Sequence, residues 1–177
     1  DSDLEVEIKN NVFAIDATTI DVCLSAFWWA KFRTTKGGIK VHTQLDLKTS
    51  IPEFVHITTA AVHEVNVMDF ITYLPESFYV IDRGYTDFQR LYHIHQTHAF
   101  FIIRAKDNLR FNRIGSAPVD KNKGVLCDQH IRLNNFYAAK EYPEQLRRIK
   151  FFDTENNRTL VFLTNNFDLK AADIAQL

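Results

Sequence analysis

Two short apolar segments, each followed directly by an aspartate, constrain the fold of this chain most strongly. The first is 12–15, which leads into Asp16, and the second is 78–81, which leads into Asp82. A run of four apolar residues predicts a short strand that is buried on both faces. In open α/β sheets, ligands bind beyond the carboxyl ends of the strands. If both strands belong to one sheet, we expect the two carboxylates to meet at one site.

Composition and cysteine usage indicate the class of protein. The 177 residues are 46% hydrophobic and 13% aromatic, which is enough for a sizeable core in one domain with an insertion. No window is apolar enough to span a membrane, and residues 1–5 are acidic where a signal peptide is basic. Cys23 and Cys127 are isolated from each other and from any His at metal-binding spacing, which predicts reduced thiols. We therefore predict a cytoplasmic protein.

The periodicity of the first hundred residues predicts a mixed α/β sheet. Residues 39–47 alternate between apolar and polar side chains, and a turn leads into 54–59, which predicts an antiparallel hairpin. Residues 64–74 carry apolar side chains at helical spacing, and a capping pattern at 86–89 begins a second helix. Residues 99–103 form another apolar strand. Helices between apolar strands indicate antiparallel strands early in the sheet and parallel strands later.

The rest of the chain has a different pattern. Residues 107–158 are predicted to form a β-rich insertion, because polar turns separate short β-like segments there. The apolar segment 159–164 is predicted to return to the main sheet, and the residues after 170 have helical spacing. The predicted division is a core at 1–106, an insertion at 107–158, and a return strand with the start of a C-terminal helix at 159–177.

The two strand-terminal aspartates suggest metal chemistry. Two acidic residues at neighbouring strand ends repel each other unless a cation lies between them. Carboxylate oxygens favour Mg²⁺ or Mn²⁺, which keep water and substrate phosphate in their remaining positions. With a third carboxylate, metals about 3.5–4 Å apart stabilise the attacking and leaving oxygens of a phosphoryl transfer. The alternative is that Asp16 and Asp82 each cap the turn after a strand.

Four segments resemble the DDE transposases of bacterial insertion sequences, in the branch with a β-rich insertion between the second Asp and the Glu. The segments are AIDATTI at 14–20, KGGIKVHT at 36–43, VIDRGY at 80–85 and FFIIRAK at 100–106. Their order and the gaps between them match the family. The resemblance implies a ribonuclease-H-like fold and a two-metal site with Mg²⁺ or Mn²⁺. It also implies that Asp16 and Asp82 are the first two members of an Asp-Asp-Glu triad.

The third member of the triad has no match in the chain. In the family, a Glu lies on a helix after the insertion, in a motif with Tyr, Arg and Lys, and nothing after Asp82 matches that motif. Residues 171–177 resemble the start of the helix. We therefore expect a truncated catalytic core, also without the N-terminal DNA-binding region of the family. We expect it to keep the fold and to have little strand-transfer activity.

The resemblance also implies DNA as the partner, both as transposon ends and as target, and a homodimer in the full-length protein. The net charge is −1, so composition gives no separate case for nucleic acid. Basic residues beside the acidic site would be needed to hold the DNA backbone, and a solvated surface is the alternative for each of them. The predicted phosphate contacts are Lys36, Lys40, Arg83 and Arg104.

The sequence is also compatible with two other functions. A ribonuclease-H-like nuclease of another lineage would hydrolyse DNA without strand transfer, and joining to a target DNA separates the two activities. A non-catalytic DNA-binding or assembly module would keep the fold and bind DNA without metal. The incomplete triad is compatible with this last function, and the sequence predicts no membrane partner for any of the three.

Overall fold

The computed structural model describes residues 9–22, 29, 31–33 and 36–177, with only the backbone of 31–33 and 36. The strands are β1 Val12–Val22, β2 Lys31–Arg33, β3 Lys36–Asp46, β4 Ile51–Thr59, β5 Phe78–Ile81, β6 Phe100–Arg104, β7 Phe111–Ser116, β8 Val125–Leu133, β9 Leu146–Asp153 and β10 Arg158–Thr164. The helices are α1 Phe88–Gln96, α2 Phe136–Glu141 and α3 Ala171–Gln176, and the short 3-10 helices are Glu64–Phe70, Arg83–Tyr85 and Lys121–Lys123.

The ten strands of the described residues form one mixed sheet. The order is β4-β3-β1-β5-β6-β10-β9-β8-β7, and β2 pairs with the beginning of β3. The three central strands β1, β5 and β6 run parallel, and the other pairs are antiparallel. The predicted mixed α/β sheet, antiparallel at first and parallel later, is confirmed. Its parallel strands bring three carboxyl ends to one edge.

The sheet is covered on two faces by two separate cores. One face packs against α1, α2 and the helix Glu64–Phe70, and we call it the α1 face; Phe13, Ile15, Tyr79 and Ile81 point into it. The opposite face packs against α3 through Ile174, and we call it the α3 face. Its central side chains are Val12, Phe78 and Ile102. Because the paired segments of the parallel strands, 12–15, 78–81 and 100–103, are covered on both faces, they are apolar at every position.

The first strand is longer than the sequence predicts. The apolar run suggests a strand that ends at Asp16, with Thr18 and Thr19 in a turn, but β1 continues to Val22. The continuation is stable because β1 keeps an antiparallel partner: residues 13–22 pair with β3, although only 12–15 pair with β5. The alternative in which Asp16 caps a turn is therefore wrong.

Helix boundaries also differ from the predicted ones. The segment predicted as a helix over 64–74 is a 3-10 helix that ends at Phe70. The second helix is present as α1, but its cap is Asp87, whose carboxylate accepts a hydrogen bond from the Arg90 N–H, and not Thr86. A carboxylate next to a helix N-terminus also interacts favourably with the helix dipole.

The β-rich segment after residue 106 continues the sheet. The antiparallel strands β7 to β10 extend from the far edge of β6, and β10 lies directly beside it. The segment 159–164, which is predicted to return to the main sheet, lies within β10. The division at 106 and 158 into core and insertion stays a prediction, because the strands on either side of it share one sheet.

Candidate active site

Three predicted site residues lie side by side at the carboxyl edge of the parallel strands. The register of the residues before them places Asp16 beside Asp82, and Asp82 beside Arg104. Adjacent strands are about 4.8 Å apart, so the two aspartates are neighbours at that spacing. Side chains alternate along a strand, so Asp16 within β1 and Arg104 within β6 are directed to the α3 face, the face of Val12 and Ile102. The register therefore places Asp16, Asp82 and Arg104 in a single row across the three parallel strands.

Asp82 is held by the turn that follows β5. Its Oδ2 accepts a hydrogen bond from the Gly84 N–H at 3.1 Å, and its carbonyl oxygen accepts one from the Tyr85 N–H at 3.0 Å. One carboxylate oxygen of Asp82 therefore caps the turn, as the alternative interpretation predicts. It does not exclude a cation on the other oxygen, because a carboxylate has two.

Asp16 has a different environment. It is exposed, and it pairs with Thr43 of β3 in the middle of a continuous strand. The capping alternative fails for Asp16, because no turn begins there. An exposed carboxylate in mid-strand, beside a second carboxylate, has a defined backbone position and free access for a ligand.

The donor set fits a hard divalent cation only in part. Asp16 and Asp82 supply carboxylate oxygens, which Mg²⁺ and Mn²⁺ prefer. Within the part of the chain that the structure describes, no group of three or more His, Cys, Asp or Glu side chains is placed to hold a metal. Glu64 lies near the same turn, but the Lys40 ammonium is 3.1 Å from its Oε1. The described residues therefore offer two candidate carboxylate ligands, one fewer than an Asp-Asp-Glu triad.

The predicted phosphate contacts are distributed unevenly. Arg83 is exposed and follows Asp82 directly, and Arg104 is half-buried in the row described above. Lys40 lies on the α1 face instead, where it pairs with Glu64 and donates to the Val62 carbonyl at 3.3 Å. The side chain of Lys36 lies outside the described residues.

Tyr85, which lies near both aspartates, was not identified as a site residue from the sequence. Burial raises the pKa of the Tyr85 hydroxyl far above its usual range, and the carboxylates of Glu64, Asp16 and Asp82 raise it further. The Tyr85 hydroxyl therefore stays protonated, with Asp16 and Asp82 nearby. The sequence feature that could have identified Tyr85 is its place three residues after Asp82, within the VIDRGY segment.

A buried histidine supports that tyrosine. His42 Nδ1 lies 3.0 Å from the Tyr85 hydroxyl, and its Nε2 lies 3.0 Å from Thr58 Oγ1. Burial lowers the pKa of His42, the nearby Lys40 lowers it too, and Glu64 raises it by a smaller amount. The ring is therefore neutral at pH 7, with one nitrogen donating and the other accepting.

The fold has a counterpart among solved DNA transposases. A cryo-EM structure of the piggyBac transposase synaptic complex with hairpin DNA superposes with a TM-score of 0.51, covering 90% of this chain and 34% of that chain at 8% identity. Identity this low supports the fold alone, which is the ribonuclease-H-like fold expected from the resemblance. In the described residues, no helix combines the length and apolar character needed to cross a membrane.

Two curated relatives are similar in sequence. The probable transposase for insertion sequence element IS5377 of Geobacillus stearothermophilus is 27% identical over 169 residues, covering 92% of this chain and 43% of that protein. The putative transposase y4zB of Sinorhizobium fredii (strain NBRC 101917 / NGR234) is 28% identical over 153 residues, covering 84% and 42%. This chain therefore spans less than half the length of these relatives.

A family model matches nearly the whole chain. The model of the transposase DDE domain matches residues 7–177, which include every strand of the sheet and both aspartates. Because this match covers nearly the whole chain, the chain belongs to the transposase DDE domain family.

Proposed function

We propose that this chain is the catalytic core of a DNA transposase, which cleaves transposon ends and transfers the freed strand into target DNA with Mg²⁺ or Mn²⁺. The proposal rests on one observation above all. Asp16 and Asp82 directly follow Ile15 and Ile81, the last paired residues of two adjacent parallel strands in a ribonuclease-H-like sheet. Membership of the family makes DNA processing the relevant chemistry, and the acidic pair supplies the ligands that this chemistry needs.

In this proposal, Asp16 and Asp82 bind the cations. When bound, the cations supply Lewis acidity for the attacking and leaving oxygens of the scissile phosphate. Asp16 would contribute to both cation positions and Asp82 to one, as the family resemblance implies. The hydrogen bond from the Gly84 N–H holds one oxygen of Asp82, so its carboxylate is oriented before any ligand arrives.

We propose that the third carboxylate comes from a residue that is not among these 177. Two observations support this. The relatives are more than twice as long as the part that matches this chain, and the described residues contain two carboxylates of the site without a third partner. A chain with two of three ligands should keep the fold and weak affinity for cations, with little strand transfer.

Basic side chains beside the row are proposed to hold the DNA backbone. Arg104 is next to Asp82 in the row, and Arg83 is exposed on the turn, so both are within reach of a phosphate placed at the acidic pair. Lys36 and Lys40 remain part of the proposal, although the ion pair between Lys40 and Glu64 gives Lys40 less support. Loss of a phosphate contact should weaken binding to all sequences equally and reduce its salt dependence.

The proposed partners are the transposon ends and the target DNA, and the proposed full-length assembly is a homodimer. The piggyBac structure is of a synaptic complex with hairpin DNA, which supports DNA as the partner of this fold. We also propose that the protein acts in the cytoplasm, in line with its isolated cysteines.

The test is cleavage and joining of end-sequence DNA by the full-length protein in Mn²⁺. Asp16→Asn and Asp82→Asn should each abolish nicking and leave DNA binding intact. Asp21→Asn is the matched control, because Asp21 is exposed on the same strand and points to the α1 face. Full activity in either of the first two variants would overturn the proposal.

The same assay separates the alternatives. Nicking without joining to target DNA would indicate a nuclease, and metal-independent binding without any cleavage would indicate an assembly module. Robust cleavage by the 177-residue chain alone, abolished by Asp82→Ala, would contradict the proposed source of the third carboxylate.

A further inference from the structure

A buried hydrogen-bonded chain connects the antiparallel half of the sheet to the turn that carries Asp82. Tyr85 and His42 are each 1% exposed, and the Tyr85 hydroxyl lies 3.0 Å from His42 Nδ1. His42 is fixed in turn by Thr58 of β4, at 3.0 Å from Nε2. Both ring nitrogens are thus bonded to hydroxyl groups, so the ring has one defined orientation.

A second connection reaches the same turn from the same strand. Lys40, two residues before His42 on the α1 face of β3, pairs with Glu64 at 3.1 Å. Glu64 packs so closely on the turn that a Cβ on Gly84 would lie 2.5 Å from Glu64 Oε2. An alanine at Gly84 would therefore require the Glu64 carboxylate to move, and β3 reaches the turn directly through His42 and indirectly through Lys40 and Glu64.

The turn transmits these contacts to the carboxylate. The Tyr85 N–H donates to the Asp82 carbonyl and the Gly84 N–H donates to Asp82 Oδ2, so the four residues 82–85 form one hydrogen-bonded unit. Fixing the Tyr85 ring consequently limits how far the Asp82 carboxylate can rotate or shift relative to Asp16. A ligand pair on different strands needs such control, because cation binding depends on both carboxylates at once.

We propose that His42 is a positioning residue for Asp82 that acts through the Tyr85 hydroxyl. The inference rests on the proposed role of Asp82 as a cation ligand, and it adds a residue from another strand to that site. His42 does not touch the cation position itself. It holds the turn so that the Asp82 carboxylate faces Asp16.

The test uses the 177-residue chain and two readouts. Tyr85→Phe removes one hydroxyl and keeps the buried ring, so the variant should fold. We expect its Mn²⁺ affinity, measured by calorimetry, to fall about tenfold. We expect the amides of residues 84 and 85 to exchange about five- to tenfold faster without metal. His42→Gln should show the same two changes. The double variant should lose no more Mn²⁺ affinity than either single variant.

Tyr142→Phe is the matched control. Tyr142 is 0% exposed, and its hydroxyl lies 3.1 Å from His95 Nδ1, so the same kind of buried pair is broken away from the acidic row. This control should leave Mn²⁺ affinity and exchange at residues 84 and 85 unchanged.

Wild-type exchange at residues 84 and 85 in Tyr85→Phe would overturn the positioning role, whatever the Mn²⁺ result. Equal Mn²⁺ losses in Tyr85→Phe and Tyr142→Phe would also overturn it. A failure of the proposed metal site looks different: Asp82→Asn would then bind Mn²⁺ like the wild type, while the exchange experiment still decides whether His42 holds the turn.

Discussion

Removing the Arg147 guanidinium should destabilise this chain strongly, because Arg147 forms a buried ion pair. Its Nε and Nη2 donate to the two carboxylate oxygens of Asp128 at 2.8 and 2.7 Å, and the two residues are 5% and 4% exposed. Nη1 donates to the carbonyl oxygens of Leu169 at 2.6 Å and Asn166 at 3.4 Å. One side chain thus joins β8 and β9 to the segment that leads into α3.

The magnitude follows from what the substitution leaves behind. Arg147→Met keeps most of the side-chain volume but leaves the Asp128 charge buried without its partner. Breaking a buried ion pair from one side costs about 3–5 kcal/mol. Each kcal/mol lowers the melting temperature of a chain of this length by about 2–4 °C, so the expected fall is about 6–20 °C.

Urea and thermal unfolding followed by circular dichroism measure this loss. The double variant Arg147→Met with Asp128→Leu should recover at least half of it, because no uncompensated charge remains. Arg158→Met is the control. Arg158 pairs with Asp153 at 3.1 Å, but its side chain is 54% exposed. This variant should therefore have the same melting temperature and urea midpoint as the wild type. A loss below about 1 kcal/mol in Arg147→Met, or no recovery in the double variant, would refute the reasoning.

Two further predictions concern stability. Gly124→Ala should destabilise the chain by more than about 1 kcal/mol in urea unfolding, because Gly124 has φ +76° and a Cβ would lie 2.7 Å from the Phe152 carbonyl oxygen. Gly115→Ala, where a Cβ meets nothing within 4 Å, should be nearly neutral. Burial lowers the pKa of His42 and of His95 from 6.5, so their neutral forms are favoured in the folded chain and stability should fall as pH falls below 6.5. At pH 5.5 the loss is at most about 1.4 kcal/mol per histidine relative to pH 7.5, and an unchanged unfolding free energy would contradict the assignment.

The central strands could be predicted from sequence because local pattern and burial agree there. β5 and β6 are apolar at nearly every position and are covered on both faces, so four or five residues suffice to identify them. The position of Asp82 follows directly, because the apolar run ends where the strand ends.

The extent of β1 could not be predicted in the same way. Its second half is exposed or half-buried and has no apolar run, and it is a strand because β3 pairs with it along its whole length. That pairing joins residues fifteen or more positions apart, which local periodicity does not report. The role of Asp16 as a mid-strand residue rather than a cap depends on this pairing.

The sequence pattern also did not show which face of β3 is buried. The alternation in 39–47 predicts a half-buried strand correctly, but the side that is buried is polar: His42 is 1% and Gln44 is 5% exposed, whereas Val41 and Thr43 are half-buried. The reason is that the α1 face is covered here by Tyr85 and the helix Glu64–Phe70. A period of two identifies a strand, and only the tertiary packing decides which face is inside.

The residues around Asp82 show the same limit. The acidic pair was predictable because each aspartate follows an apolar run, whereas the partners of the turn come from three separate elements. His42, Thr58 and Glu64 are brought together only by the order of strands β4-β3-β1-β5. No spacing within the sequence joins them to Tyr85.

The central claim is that Asp16 and Asp82 bind a divalent cation together, and Mn²⁺ titration into the ¹⁵N-labelled chain tests it most directly. Paramagnetic broadening should appear first at the amides of residues 16–17 and 82–83. It should disappear from both segments in Asp16→Asn and in Asp82→Asn alike, and it should persist in Asp21→Asn. Broadening centred elsewhere, or broadening at residues 82–83 that survives Asp16→Asn, would contradict the claim.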